Sequence, residues 1–352
     1  MREHQQATVL VNTIEYNKSK YSSSDYSRAV DARKVQNIIG APTFKQYRHI
    51  VDSNTMRNCP LLPTDIEAAE DIFGKNIQIL KGRTTNKKSM HLRSYVTKIP
   101  ITILEKYKLV TITGDIMFVN KLRFVITKSR AIKFTTSQFI NSAKETDLFE
   151  SILATKKIYR RRGFDVNIIL MDGQFECIRT HLLGAQISLN ICANNEHVHE
   201  IERMIRVVKE RIRGVHTTVP FNKMPGRMII ELVYAAVFWL NSFYPSRSIC
   251  GNLSPRTIMT GQTIDFNRHV KHEFGAYVQT HEATDNSMRP RTIGAIALRP
   301  TGNEQGSYYY LSLTTGLRIN RLRATELPMP QDVIDRIHAL AKENPPGLEF
   351  WD

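Results

Sequence analysis

One unbroken apolar run constrains the fold of this chain more than any other feature of its sequence. The run is residues 166–171, VNIILM, and it stops at Asp172-Gly173. A strand with one face in water alternates apolar and polar residues, so a continuous run predicts a central strand covered on both faces. A sheet with helices on each face is an α/β architecture, which is therefore the predicted fold class.

The segments around this run predict the rest of a mixed sheet. Three β-branched and aromatic runs precede it and are typical of an antiparallel meander: residues 109–120, 122–128 and 131–136. A further strand is predicted at residues 187–192. Helices are predicted at residues 147–161, 177–183 and 199–213. The order is three strands, helix, strand, helix, strand, helix.

Helix-start signals divide the first hundred residues into short helices. One covers residues 25–39, a second follows the capping residue Thr43, and a third has a capping box formed by Thr64 and Glu67. Gly74 closes the third helix. The next stretch, residues 81–93, is rich in Lys, Arg, Ser and Thr, which predicts a solvated linker, with a strip that contacts phosphates as the alternative.

The last third of the chain predicts a small β-domain between two helices. The helices are residues 225–243 and 331–342, and the first is followed by a turn-rich segment. Short strands broken by Gly, Pro and Asn predict a small SH3-like β-barrel: residues 275–280, 292–299, 307–313 and 317–322. The predicted domains are residues 1–104, 105–262 and 263–330, with a helix and tail at 331–352.

The charge of the chain indicates its partner. Its 352 residues carry 49 Lys and Arg against 33 Asp and Glu, which leaves 49 − 33 = +16, while 41% apolar residues suffice for a core. A folded basic protein predicts a polyanion as ligand, most often nucleic acid. Four cysteines without a C-x-x-C pair predict a reducing compartment and no thiolate zinc site. The most apolar stretch, residues 228–240, is short and contains Glu231, so no membrane association is predicted.

Two aspartates lie where a sheet of this kind binds ligands, at the strand ends. Asp172 directly follows the buried strand, and Asp115 interrupts an otherwise apolar strand, where a charge is costly unless something binds it. If the two strands are neighbours, both carboxylates lie at one sheet edge and repel each other unless a hard cation binds between them. A turn aspartate in Asp-Gly is the competing interpretation of Asp172.

The helix at residues 199–213 offers a third acid. At about 100° per residue, Glu202 begins a stripe that continues with Arg206, Lys209 and Arg213. Glu200 lies on the other shoulder of the helix, so the two glutamates cannot point at the same place. Glu202 is the predicted ligand because cations that contact phosphate follow it. A solvated helix face with salt bridges is the alternative for the stripe.

Asp115, Asp172 and Glu202 together predict a site for two Mg²⁺ ions, of the kind used in phosphoryl displacement. The order of elements, with these acids in place, resembles the RNase H-like (ribonuclease H-like, retroviral integrase) core, most specifically that of copia-type LTR retrotransposons. The segment before the core and the small β-domain also resemble that Pol polyprotein, over residues 23–330. The resemblance is carried by residues 114–120 (GDIMFVN), 171–176 (MDGQFE), 202–206 (ERMIR), 254–261 with Phe274-Gly275, 58–60 (NCP) and 72–74 (IFG).

This resemblance implies a DDE integrase, a nucleotidyltransferase and endonuclease that processes the 3′ ends of element DNA and joins them to target DNA. Asp115, Asp172 and Glu202 would be the catalytic residues and the ligands of Mg²⁺ or Mn²⁺. Double-stranded DNA is the implied partner, a homo-oligomer the implied assembly, and the nucleus, or a cytoplasmic particle before nuclear entry, the implied location. The residues predicted to contact DNA are Arg206, Lys209, Arg213, Arg160, Arg161 and Arg162.

The chain departs from the family pattern before the third acid. Only 29 residues separate Asp172 from Glu202, and the family's Asn-Gly pair before Glu-Arg is replaced by residues 197–201, HVHEI. Glu200 therefore stays open as the alternative third acid. The first hundred residues lack the His/His/Cys/Cys set of the integrase zinc domain, so no zinc is predicted.

Two other functions are compatible with the sequence. A decayed or domesticated copy would bind nucleic acid through its basic surface without turnover, and an RNase H-like nuclease would cleave without joining. The appended β-domain argues against the nuclease, which does not need it.

Overall fold

The computed structural model describes residues 11–85, 96–191, 199–245, 249–283, 285 and 287–343. Within these ranges, none of the helices combines the length and apolarity needed to cross a bilayer. The described residues before the first sheet contain six helices: α1 Ile14–Lys18, α2 Ser23–Ile38, α3 Phe44–Asp52, α4 Pro63–Phe73, α5 Ile77–Arg83 and α6 Ile101–Tyr107.

The N-terminal helices pack around a small core of their own. Ala29 and Ala32 of α2 contact Tyr47 of α3 and Ile72 of α4, all of them buried. The small alanines let α2 approach its neighbours closely, and the buried Tyr47 hydroxyl donates to the carbonyl of Ala32 at 2.9 Å. The helix predicted from residue 25 and the helix capped by Thr43 are both present.

The predicted capping box of α4 is wrong. Leu62, not Thr64, occupies the position before the helix, and the carboxylate of Asp65 accepts a hydrogen bond from the Leu62 amide at 2.7 Å. Arg28 of α2 explains the difference, because its guanidinium donates two hydrogen bonds of 2.8 Å to Asp65 and fixes that carboxylate at the helix start. Gly74 ends the helix as predicted.

The central sheet is mixed and has five strands: β1 Leu109–Val119, β2 Leu122–Ser129, β3 Thr135–Ile140, β4 Asp165–Met171 and β5 Ser188–Ile191. Their order is β3-β2-β1-β4-β5. The first three form an antiparallel meander, whereas β4 runs parallel to β1 and β5 parallel to β4. The predicted α/β class is confirmed, with the apolar run 166–171 inside the sheet.

The third strand lies later in the chain than residues 131–136. The Ser129 hydroxyl accepts a hydrogen bond from the Phe134 amide, and Lys133 has a φ of +63°, so residues 130–134 form a turn. Ile132 is nevertheless fully buried because the turn folds back on the core. Burial of a turn residue gives the same apolar signal as a strand, which is why the pattern predicted the wrong segment.

Helices cover both faces of this sheet. One face packs on α7 Glu145–Arg160, a 3₁₀ turn Gly173–Ile178 and α8 Arg179–Gly184. The other face packs on α9 His199–Thr218 and α10 Gly226–Ser242. The helix α9 continues five residues beyond the predicted end at 213, because Val215 still packs on the cluster that α10 forms with the sheet.

The second sheet is antiparallel and consists of β6 Tyr277–His281, β7 Thr292–Pro300, β8 Tyr308–Ser312, β9 Arg318–Arg321 and β10 Ala324–Glu326. Two short helices precede it in the chain, α11 Pro255–Thr260 and α12 Phe266–His269, and α13 Gln331–Glu343 follows it. The order of its strands is β10-β6-β7-β8-β9. The short strand β10 was not predicted, since three residues carry too little alternation to be recognised.

Contacts on two sides connect the second sheet to α10 and to the N-terminal helices. Fully buried Glu231 of α10 binds Arg299 of β7 at 2.7 Å and Arg318 of β9 at 2.8 Å. On the N-terminal side, Leu80 of α5 belongs to the core of the second sheet, and the Arg291 amide donates to the Lys81 carbonyl. Residues 81–83 of the predicted linker are thus helical with exposed side chains, while residues 86–93 lie outside the described ranges. The predicted domain boundaries stay predictions.

Candidate active site

The first acid, Asp115, lies half-buried in β1. Gly114 precedes it at a point where β1 and β4 approach closely, since a Cβ at Gly114 would overlap the Cε of Met171. The close approach brings the end of β4 against the middle of β1. Asp115 therefore lies beside the position where the chain leaves β4.

The second acid, Asp172, is the residue after β4. In the parallel pairing, Thr111 is level with Ile168 and Thr113 with Leu170, and extending this register by two residues brings Asp172 level with Asp115. Residues level with each other on neighbouring strands present their side chains to the same face. Asp172 also starts the 3₁₀ turn, and its carboxylate accepts from the Gly173 amide at 2.6 Å. The turn role and the location beside Asp115 therefore coexist.

The two candidate third acids occupy different environments. Glu200 binds three cations of β2 and the following turn: Lys133 at 2.8 Å, Lys128 at 3.6 Å and Arg130 at 3.6 Å. Burial opposes ionisation of Glu200, but these cations outweigh it and lower the pKa of its carboxyl. Glu202 is more exposed and lies 3.9 Å from the His199 ring, and its charge acts on Asp115. The expectation from helix geometry that the two glutamates diverge is met.

Asp115 is the electrostatic centre of the site. Burial is the main cause of its raised pKa; the Ile116 amide, which donates to the carboxylate at 2.6 Å, opposes the shift. The negative charges of Asp172 and Glu202 raise the pKa of Asp115 further, and Lys209 lowers it. The structure thus brings Asp172 and Glu202 within electrostatic reach of Asp115, whereas Glu200 is neutralised elsewhere.

The three acids fit a metal ion by their donor chemistry but are not grouped around one. In the part of the chain that the structure describes, no three His, Cys, Asp or Glu side chains are grouped closely enough to hold a metal ion. Two of the carboxylates are turned to neighbouring backbone amides instead, Asp115 to Ile116 and Asp172 to Gly173. The donor chemistry itself fits, since oxygen ligands that repel one another are what Mg²⁺ or Mn²⁺ binds.

The predicted basic stripe of α9 is present beside the acids. Arg206 is exposed and 3.9 Å from Glu210, Lys209 acts electrostatically on Asp115, and Arg213 donates to the Lys209 carbonyl at 3.3 Å. Ile201, Val208 and Ile212 of the same helix are buried, as expected for its core face. The stripe therefore adjoins the acid site.

The arginines at the end of α7 do not belong to that site. They precede Asp165, which begins β4, so roughly 20 Å of strand separates them from Asp172 at a rise of about 3.3 Å per residue. Arg160 binds Asp165 at 2.9 Å, and Arg162 donates to the carbonyls of Ile258 and Thr97. Arg161 is exposed. DNA contacts by these three residues stay a prediction, at the opposite end of the sheet from the acids.

Sequence reasoning missed two groups near the acids. The first group consists of the cations that neutralise Glu200: Lys128, Arg130 and Lys133. Their clustering at the end of a strand is a sequence signal that was not used in predicting the site. The second group surrounds a cavity formed by Phe118 with Lys209, Arg213 and His216. No sequence pattern brings Phe118 to α9, because the contact depends on how the helix crosses the sheet.

Comparisons with known proteins give a limited result. No protein-family model matches the sequence, and neither does any curated protein. Among solved structures, the catalytic core domain of BIV integrase aligns at 16% identity with a TM-score of 0.34. The alignment covers 44% of this chain and 93% of that chain. At this score the likeness is partial, and the fold described above rests on the strand order and register.

Proposed function

We propose that this chain is the integrase region of a copia-type LTR retrotransposon Pol polyprotein, acting as a DDE-type polynucleotidyl transferase and endonuclease. It would remove nucleotides from the 3′ ends of element DNA and join the exposed 3′ hydroxyl to target DNA. The observation that carries the proposal is the grouping of three acids: the β1–β4 register brings Asp172 level with Asp115, and the charges of Asp172 and of Glu202 on α9 both raise the pKa of Asp115. The strand order β3-β2-β1-β4-β5 supports an RNase H-like core, and the order of the second sheet supports an SH3-like domain.

Each residue has a separate role in this proposal. Asp115, Asp172 and Glu202 would hold Mg²⁺ or Mn²⁺, which when bound supplies the positive charge that activates a hydroxyl nucleophile and stabilises the leaving oxygen. Arg206, Lys209 and Arg213 would bind the phosphates of the DNA end along α9. Glu200 would fix the start of α9 against β2 through its three cations.

The partners follow from the same chemistry. The net charge of +16 favours double-stranded DNA as ligand, from both the element end and the target. We expect a homo-oligomer, because two element ends are joined to one target DNA. We expect the reaction in the nucleus, where the target DNA lies. Both are part of the proposal.

A joining assay tests the proposal. The protein is incubated with Mg²⁺ and labelled duplexes that end in the terminal sequence of the parent element, and joined products are separated by size. The wild type is expected to yield them, and Asp172→Asn is expected to abolish them while duplex binding is kept and the melting temperature does not fall. Cleavage without joining would instead indicate an RNase H-like nuclease.

The matched control is Asp165→Asn, at the other end of the same strand. Asp165 binds Lys156 and Arg160, far from the acid site, so its amide variant is expected to join DNA at the wild-type rate per folded molecule. Equal loss in the two variants would assign the defect to folding and remove the support for a role of Asp172.

A second function has an observation in its favour. The carboxylates of Asp115 and Asp172 accept hydrogen bonds from adjacent amides, and no three potential ligands are grouped among the described residues. A non-catalytic DNA-binding protein of this fold would keep the basic stripe of α9 without turnover. Tight duplex binding by a wild-type protein that joins no DNA with Mg²⁺ or Mn²⁺ would select this function.

A further inference from the structure

Two buried ion pairs hold the second sheet on α10. Glu231 is fully buried, and its two carboxylate oxygens bind different strands of that sheet. Oε2 lies 2.7 Å from Nε of Arg299 in β7, and Oε1 lies 2.8 Å from Nη1 of Arg318 in β9. A carboxylate removed from water is costly unless cations compensate it. Glu231 is therefore compatible with α10 only while the second sheet lies against the helix.

Aromatic rings restrict the two arginines. The guanidinium carbons of Arg299 and Arg318 lie 4.6 Å and 4.5 Å from the centre of the Tyr309 ring. Arg299 is also 5.5 Å from the centre of the Tyr234 ring. A planar guanidinium that stacks on a ring has its donors held in a fixed direction. The ion pairs with Glu231 therefore define an angle between α10 and the sheet as well as a contact.

Side chains of the same helix also bind the central sheet. Three residues after Glu231, the Tyr234 hydroxyl accepts a hydrogen bond from the Phe139 amide of β3 at 3.1 Å. Further along α10, the Asn241 carboxamide accepts from the Thr135 amide at 2.9 Å and donates to the Thr135 carbonyl at 2.7 Å. The helix α10 therefore connects β3, an edge strand of the central sheet, to β7 and β9 of the second sheet.

Direct packing between the second sheet and α9 is incomplete. A cavity of about 670 Å³ lies between them beside α10, with Arg211, Val215 and Thr218 of α9 on one wall and Leu298 and Pro300 of β7 on another. Close-packed interiors resist displacement, whereas an open volume of this size leaves room for one. The orientation of the sheet beside α9 therefore depends on the ion pairs of α10.

We propose that Glu231 is a positioning residue, whose two ion pairs set the orientation of the second sheet relative to α9 and to a DNA duplex bound along α9. The effect on joining rests on the proposed function, whereas the orientation of the sheet does not. Without the ion pairs, both sheets should stay folded and the second should take several orientations. Fewer bound duplexes would then lie correctly for the reaction, because small misplacements far from the chemistry slow it strongly.

Distance measurements and joining rates test the proposal together. Spin labels are attached at Leu183→Cys in α8 and at Leu317→Cys between β8 and β9, both exposed positions, in a parent whose four native cysteines are replaced by serine. The parent should give one narrow distance distribution, and Glu231→Gln a broad one. At saturating duplex with Mg²⁺, Glu231→Gln should join DNA at roughly one tenth of the parent rate per folded molecule, while the duplex concentration at half-maximal rate changes less than about twofold.

Arg318→Met is the second variant, because it leaves Glu231 bound to Arg299 and should fold even if Glu231→Gln does not. It should broaden the distribution and slow joining to a smaller extent. Lys156→Met is the matched control, since it also breaks a buried ion pair, but on α7. It should lose stability and keep both the narrow distribution and the parent rate of joining per folded molecule.

A distribution that stays narrow in Glu231→Gln and Arg318→Met would overturn the proposal, and so would equal broadening in Lys156→Met. Broadening that is confined to the two α10 contact variants, in a protein that joins no DNA, would support the orientation role and contradict the integrase function. Joining by Glu231→Gln at the parent rate would do the reverse.

Discussion

The two ends of β4 carry acids in opposite electrostatic environments. At the amino end, Asp165 binds Lys156 at 3.3 Å and Arg160 at 2.9 Å. Burial opposes its ionisation, but those cations outweigh burial and lower the pKa of Asp165. Beside the carboxyl end, where Asp172 follows β4, burial raises the pKa of Asp115 of β1, and the charges of Asp172 and Glu202 raise it more than Lys209 lowers it. One strand thus separates a neutralised acid from a cluster of mutually repelling ones.

In this protein a structural acid is paired with cations, whereas a candidate catalytic acid lies near other acids. Glu200 and Glu202 repeat the contrast within one helix turn, since Glu200 is surrounded by three cations while Glu202 adds its charge to Asp115. An acid that folding neutralises contributes to stability. A cluster that folding leaves repelling gains stability only when a cation binds, which is a common property of functional sites.

The largest expected effect concerns the two glutamates of α9. Glu202→Gln should reduce joining at least about 100-fold, since the charge stabilisation it removes is worth several kcal/mol in metal-assisted reactions. Glu200→Gln should instead lower the free energy of unfolding by about 1–3 kcal/mol, the cost of losing hydrogen bonds to charged groups, and keep joining per folded molecule. Joining rates and urea melts of the two variants measure this. Loss of joining in Glu200→Gln with retention in Glu202→Gln would make Glu200 the third acid.

The next effect tests the neutralised end of β4. Lys156→Met should lower the free energy of unfolding by about 2–3 kcal/mol, because the buried ammonium also donates to the Ala185 carbonyl at 2.9 Å and would leave Asp165 and that carbonyl short of a partner. Arg160→Met, at the exposed partner of the same acid, should cost only about 0–1 kcal/mol. Thermal or urea unfolding compares them, and equal losses would contradict the role given to burial.

A smaller effect appears in the pH dependence of stability. Asp115→Asn should raise the free energy of unfolding at neutral pH by about 0.5–2 kcal/mol, because it removes a charge that folding disfavours. The folded-state pKa of Asp115 is raised above 3.8, so its difference from the variant should shrink as the pH falls through that raised pKa and vanish below 3.8.

Asp165 is the internal comparison for that experiment. Its folded-state pKa is below 3.8, so the stability it contributes is present above 3.8 and lost as the pH falls through the lowered pKa. Asp165→Asn should therefore destabilise the protein at neutral pH, with a difference that disappears only below 3.8. Denaturant melts of the two variants between pH 7 and pH 2 measure these changes in the free energy of unfolding. A change of the same sign in Asp115→Asn and Asp165→Asn at neutral pH would contradict the contrast between the two acids.

The smallest effect concerns the cations at the two ends. Lys209→Ala should lower the slope of log affinity against log salt by about 1 and also slow joining at saturating DNA. Arg161→Ala, near the amino end of β4, should lower the salt slope by a similar amount but leave the rate of joining at saturating DNA unchanged. Duplex titrations at several salt concentrations separate them, and a joining defect in Arg161→Ala would show that both ends act in the reaction.

Much of the fold could be predicted because its signals are local. The run 166–171, the meander before it and the capping residue Thr43 all follow from periodicity or short-range hydrogen bonding. Errors occurred where tertiary contacts replaced a local rule. Arg28 binds Asp65 and fixes the start of α4 at a different residue from the predicted one. Burial of the turn residue Ile132 gave the apolar signal of a strand, and packing of Val215 extends α9 beyond Gly214.

The candidate site divides in the same way. By itself the sequence determined the residue types, the location of Asp172 at a strand end and the divergence of Glu200 from Glu202, because strand and helix periods fix directions within one element. Tertiary structure alone decided which glutamate is neutralised and that the end of β1 and Lys209 of α9 line one cavity. Those facts depend on distances between elements remote in the chain, which register and helix packing set and no local pattern encodes.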